Sequence, residues 1–133
     1  MRILQAPHPS LRAKAQPITE IDDATYQSLE ALRTTLATAK NPRGVGLASP
    51  QVATGANEQL ELEQPLRVFA TQFDPNRTDL ATLDGIDLYL NPRIESHSRS
   101  KIIEENDQYI LEGCLSIRNI YGPAPRWKWV EVA

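Results

Sequence analysis

Gly44-Val45-Gly46-Leu47-Ala48-Ser49-Pro50-Gln51 divides the chain into two unlike parts. Ahead of it the apolar period is helical: Leu29, Leu32, Leu36 and Ala39 recur at spacings of three, four and three, which places them on one face. The reading starts this helix near Asp22, with Asp22 or Asp23 as N-cap and Thr19 three residues ahead in a spacing similar to a capping box. It stops the helix at Asn41-Pro42, because the residue before a proline resists the α region. Further upstream, Pro7, Pro9 and Pro17 forbid a regular helix over residues 5–17. Behind the dividing stretch the period drops to two. Leu66, Val68 and Ala70 alternate with Arg67, Phe69 and Thr71, and Ile86, Leu88 and Leu90 alternate before Asn91-Pro92. Ile102-Ile103, Tyr109-Ile110-Leu111 and Trp127–Val132 read as further strands, the last as one continuous strand. The polar stretches from Ala53 to Pro65 and from Asp74 to Asp84 read as loops. One early helix followed by strands is the segregated order of an α+β fold.

Composition narrows the functional classes. The 133 residues carry 14 basic and 17 acidic side chains, a net charge of −3, which argues against a broad nucleic-acid-binding face. The length fits a single domain over residues 1–133, and the 41% hydrophobic content suffices for a core. A lone cysteine, Cys114, excludes an intrachain disulfide framework and fits a reducing cytoplasmic or organelle-like compartment. No run approaches the ~18 apolar residues of a membrane span, and the amino terminus does not read as a secretory signal. The sequon Asn76-Arg77-Thr78 is discounted on that ground.

The dividing stretch is also the first candidate for chemistry. Its glycines allow close backbone approach to a ligand, but Ser49 holds the place where a dinucleotide fingerprint needs glycine, and no Gly-Lys-Ser/Thr follows for a phosphate loop. A tight turn entering a strand explains the stretch equally well. The Gln51 amide could donate to a developing oxyanion. The second candidate is Glu112-Gly113-Cys114-Leu115-Ser116. A thiolate serves as nucleophile or metal ligand, whereas a lone cysteine is more often an inert buried residue. A nucleophile needs a base, and neither His8 nor His97 can be paired with Cys114 from sequence. Arg12 lies four after His8 and Lys101 four after His97, so the chain contains no H-E-x-x-H. Glu104, Glu105 and Asp107 read as a solvated turn.

Together the two motifs resemble the peptide deformylase family. Residues 44–51 are similar to its G-x-G-L-A-x-x-Q, and residues 112–116 to its E-G-C-L-S. Pro7-His8-Pro9-Ser10-Leu11-Arg12, Leu90-Asn91-Pro92-Arg93-Ile94 and Gly122-Pro123-Ala124-Pro125-Arg126 with Val130 and Val132 resemble its flanking segments in the same order. The resemblance implies removal of the formyl group from the N-terminal formylmethionine of nascent polypeptides, at the ribosome. It implies a divalent ion, iron(II) or zinc, nickel or cobalt, with Cys114 as its thiolate ligand. It implies that the Gln51 side chain and the Leu115 N–H stabilise the oxyanion. Gly44, Val45 and Gly46 would run beside the substrate as an added strand, and Glu112 would lie near an apolar methionine pocket. The family's H-E-x-x-H helix has no counterpart here, so the expectation is a chain truncated at its carboxyl end, inactive alone, with ion binding weak or absent. It would self-associate through an exposed apolar sheet face. Two alternatives stand beside it: a non-catalytic relative that binds peptides or a partner, and a hydrolase using Cys114 as nucleophile.

Overall fold

Asp22 starts the helix. Its backbone is extended, with φ −80° and ψ 176°, and its carboxylate accepts a 2.7 Å hydrogen bond from the Thr25 N–H. That bond holds the carboxyl below the usual aspartate value and satisfies one of the first-turn donors. Helix α1 then spans Asp23–Thr38. The computed structural model describes residues 1–40, 43–53, 64–72 and 85–133. Asn41-Pro42, most of the two expected loops, and the sequon lie outside these residues. The helix ends at Thr38, with Ala39 extended and its N–H on the Leu36 carbonyl at 3.2 Å. Leu29, Leu32 and Leu36 are buried along one face as the spacing required, and Ala39 is half-buried. Burial on this scale contributes about 1.5–3 kcal/mol per leucine.

The helix covers a three-stranded antiparallel sheet. In chain order the strands are β1 (Arg2–Ile3), β2 (Gly46–Ala48), β3 (Val52–Ala53), β4 (Val68–Thr71) and β5 (Asp87–Leu90). β4 lies between β2 and β5, with Leu47 opposite Ala70 and Ala70 opposite Leu88. Leu47, Val68, Ala70 and Ile86 meet the helix leucines in the core. β1, which precedes the helix and was not anticipated, pairs with β3 so that Ile3 faces Val52. The proline-rich segment holds one short 3₁₀ turn, Pro9–Arg12, started by proline's fixed φ.

The second half is a chain of short antiparallel pairs: β6 (Ile94–His97), β7 (Lys101–Ile102), β8 (Glu104–Glu105), β9 (Gln108–Tyr109), β10 (Leu111–Cys114), β11 (Ile117–Pro123), β12 (Arg126–Trp127) and β13 (Val130–Val132). The strand expected over 127–132 is broken in two. The Lys128 N–H turns to Ser98 Oγ at 2.8 Å and the Trp129 carbonyl accepts from the Ser98 N–H at 3.1 Å. β12 therefore pairs with β7, and β13 with β6. Asn106 and Asp107, at φ 51° and 61°, make the two-residue turn between β8 and β9, so the acidic cluster is an exposed hairpin. The described ladders are antiparallel; a lone parallel bridge joins Gln16 to Leu66.

Burial is uneven between the halves. The buried hydrophobic residues all lie between Leu4 and Ile86, whereas Leu111, Ile120 and Tyr121 are 60%, 64% and 56% exposed. From residue 91 onward the buried side chains among the described residues are Ser98 and Ser116.

Candidate functional site

Gln51 and Cys114, 63 residues apart in sequence, meet. Gln51 ends a 3₁₀ turn, Ser49–Gln51, that follows directly after β2 and holds Pro50 in its first turn. Its Oε1 accepts from the Ala48 N–H at 2.9 Å. That contact fixes the polarity of the amide: the oxygen faces the backbone and Nε2 points away. Nε2 donates to Ser116 Oγ at 3.2 Å and lies 3.8 Å from Cys114 Sγ.

Cys114 ends β10, and Leu115-Ser116 form the turn to β11, since Cys114 pairs with Ile117. In a two-residue hairpin loop the flanking residues carry the ladder bonds, so the Leu115 N–H is not one of them. Between Ile117 and Tyr121 the ladder skips Arg118, Asn119 and Ile120, because Gly113 pairs with Tyr121. Asn119 sits in this bulge at φ 59°, a left-handed conformation that asparagine tolerates better than most side chains. Cys114 is exposed and free, which removes the reading of an inert core cysteine.

Gly44 is buried, and its absent side chain matters. A Cβ there would lie 2.8 Å from Leu115 Cδ1 and 2.8 Å from Leu36 Cδ1. The missing side chain lets the cysteine turn seat Leu115 against the helix core. Val45 is 68% exposed and directly precedes β2, whose first residue Gly46 is exposed; β2 is an edge of its sheet. An edge strand offers unpaired backbone groups to an incoming chain.

Glu112, two residues before the cysteine, forms an ion pair with Arg126, both Glu112 oxygens accepting from Nε at 2.8 and 3.0 Å. The hydrogen bonds from Arg126 hold the Glu112 carboxyl below its ordinary value, against a small opposing effect of burial. The same contacts raise Arg126.

Several residues that organise the site carried no signal in the sequence. The Gln5 Nε2 donates to the Leu115 carbonyl at 2.9 Å. The Ala6 N–H donates to the Ser116 carbonyl at 2.9 Å, and the Leu4 N–H to the Gln51 carbonyl at 2.8 Å. Ser116 is 3% exposed and was expected only as the last letter of a motif.

The histidines are engaged elsewhere. His8 Nδ1 accepts from the Ser10 N–H at 3.2 Å and caps the first 3₁₀ turn. The His97 ring stacks on Trp127 with centroids 4.0 Å apart. Neither supplies a base to Cys114, whose side-chain neighbour is an amide. Among the described residues no group of three His, Cys, Asp or Glu could hold a metal ion. A catalytic ion of the zinc type takes three protein ligands. The donor set described here therefore does not fit a complete ion site; Cys114 supplies one thiolate.

Comparison with known proteins gives one consistent answer. The family model for polypeptide deformylase matches residues 1–133. Peptide deformylase 2 of Nostoc sp. is 37% identical over 98% of this chain and 63% of its own length. Peptide deformylase 2 of Clostridium acetobutylicum is 33% identical over 92% of this chain and 63% of its own length. The chain thus spans less than two thirds of these relatives. The crystal structure of peptide deformylase from Thermotoga maritima superposes with a TM-score of 0.70 at 27% identity, covering 98% of this chain and 70% of that one. Arabidopsis thaliana peptide deformylase 1B has the same fold, with a TM-score of 0.72 over 99% of this chain and 60% of its own. No helix among the described residues is long and apolar enough to cross a membrane.

Proposed function

The chain belongs to the peptide deformylase family, and on that premise we propose that the Gln51–Cys114 junction is the substrate-binding and oxyanion side of a deformylase centre. Its substrate is the formylated methionine end of a nascent peptide. The observation that supports this most is the 3.8 Å approach of Gln51 Nε2 to Cys114 Sγ, with the amide polarity fixed by Ala48.

A formamide is a weak electrophile. Attack on its carbon moves charge onto its oxygen, and donors placed in advance favour that charged state over the planar ground state. The Gln51 amide N–H and the Leu115 N–H are the two donors. Val45 and Gly46 present the β2 edge to the peptide backbone, which lies along it as an added strand. Gly44 lets Leu115 seat, and Glu112 fixes Arg126 beside the cysteine hairpin. Cys114 is the one ion ligand in this reading. The family reaction draws its divalent ion from a fuller donor set than the described residues hold, so the expected outcome for the 133-residue chain is no stoichiometric iron, zinc, nickel or cobalt and no release of formate.

Binding can be tested without turnover. Formyl-Met-Ala-Ser at millimolar concentration is expected to shift the backbone amides of Val45, Gly46 and Leu115 and the side-chain amide of Gln51. Shifts confined to other regions, or none, would sink the assignment. Metal analysis of anaerobically purified protein, with a formate assay, checks the second half: a bound equivalent with turnover would show a complete donor set. A second reading, a non-catalytic module that captures peptide ends, is favoured by the exposed edge at Val45 and Gly46. It predicts equal shifts with unformylated Met-Ala-Ser, whereas the deformylase reading requires the formyl group.

A further inference from the structure

The amino-terminal arm touches both motifs within three consecutive residues. Leu4 is 4% exposed, so its side chain anchors the arm in the body of the fold, while its N–H meets the Gln51 carbonyl at 2.8 Å. Gln5 reaches the Leu115 carbonyl at 2.9 Å, and the Ala6 N–H reaches the Ser116 carbonyl at 2.9 Å. Farther along, Ser10 Oγ donates to the Pro50 carbonyl at 3.0 Å, bracing the turn that carries Gln51. From this geometry we infer that Gln5 is a positioning residue, which fixes the peptide plane between Leu115 and Ser116 and through it holds the turn that carries the Leu115 N–H beside Gln51 and Cys114.

The turn Leu115-Ser116 has ladder support on both sides, from Cys114 and Ile117. Inside the turn the free rotations are those that swing the Leu115 and Ser116 carbonyls. The arm holds both carbonyls, one by a side chain and one by a backbone N–H. Gln5 is half-buried, so its contact is partly shielded from competing water. Removing its donor leaves the Ala6 bond alone, and the Leu115 peptide units are then free to rock about the remaining contact. An amide is the side chain that suits this place: it donates to a carbonyl without bringing a charge beside the thiol. The inference rests on the proposed oxyanion role for its importance to chemistry, but its geometric content stands apart from that role.

The experiment uses the 133-residue chain with Gln5→Ala and Gln5→Glu. The second variant keeps nearly the same size and removes the N–H donor. Amide hydrogen exchange is followed at the hydrogen-bonded Ala6 and Ile117, together with the rate of Cys114 alkylation by iodoacetamide. Loss of one hydrogen bond of ordinary strength is expected to speed exchange at the turn about fivefold in both variants, with amides of α1 unchanged. Alkylation should change by more than about twofold, the same contact loss read at the thiol. Turn exchange within about twofold of the parent in both variants would overturn the inference. So would acceleration in the alanine variant alone, which would assign the effect to side-chain bulk. If formyl-Met-Ala-Ser fails to shift the parent while the variants still loosen the turn, the brace stands and the proposed function falls.

Discussion

Gly44→Ala tests whether the helix core and the cysteine turn are wedged together. The added methyl carbon would lie 2.8 Å from Leu36 Cδ1 and 2.8 Å from Leu115 Cδ1. Carbon atoms rest about 3.5–4.0 Å apart, so each neighbour must withdraw by roughly 0.7 Å or more. Leu36 is fully buried at 0% exposure and has nowhere to go. Leu115 is half-buried and lies on a turn, so it is the one that yields. Overpacking of this kind costs about 1–3 kcal/mol. With a urea slope of about 2 kcal/mol per molar, a 2 kcal/mol loss lowers the unfolding midpoint by roughly 1 M. Gly46→Ala is the internal control, because the nearest atom to its Cβ is the Ala70 carbonyl oxygen at an ordinary 3.7 Å. Its stability should stay within about 0.5 kcal/mol of the parent. The wedge also moves the site: as Leu115 retreats, the Cys114–Gln51 contact opens and the alkylation rate of the thiol changes in the Gly44 variant alone. Equal midpoints for the two alanine variants, with equal alkylation rates, would refute the reasoning.

Two further outcomes are expected. The Glu112 carboxyl titrates below its unfolded value because of Arg126, so its stabilisation is complete above the ordinary glutamate range and is lost as pH falls through the lowered folded value. Glu112→Gln should therefore flatten the acid limb of a stability-versus-pH curve while changing neutral stability by less than about 1 kcal/mol, since the Arg126 side chain is 65% exposed; an unchanged acid limb would show that the pair is broken in solution. The exposed Leu111, Ile120 and Tyr121 predict concentration-dependent self-association of the chain, with a second copy covering this face. Sedimentation that remains monomeric up to millimolar concentration would contradict it.

The sequence disclosed elements governed by short-range rules. Leu29, Leu32 and Leu36 showed the buried face of α1 because helical periodicity is local, and Asp22 showed its start because capping is a contact over three residues. The alternation at Val68 and Ala70 disclosed β4 for the same reason. The break at Lys128-Trp129 was hidden, since it is imposed by Ser98, some thirty residues away. The bulge at Arg118–Ile120 was hidden as well: the pairing of Gly113 with Tyr121 and the left-handed backbone of Asn119 reveal it. Of the site, spacing alone offered a glutamine and a cysteine with no reason to meet; family likeness linked them, and the fold brings them together. Gln5 left no trace because a polar residue in an irregular segment has no period to break. Its contact becomes visible only once the arm is seen crossing both motifs.

The glycine inside the cysteine motif repays a last look. A Cβ at Gly113 would sit 2.7 Å from Cε1 of Tyr121, the residue paired with it across the hairpin. The phenol ring lies over bare backbone and acts as the side chain that Gly113 lacks. Positions 113 and 121 are therefore a single choice made twice. A methyl at the first would push the exposed ring at the second aside, and the strand leading to the thiol would lose its aromatic roof.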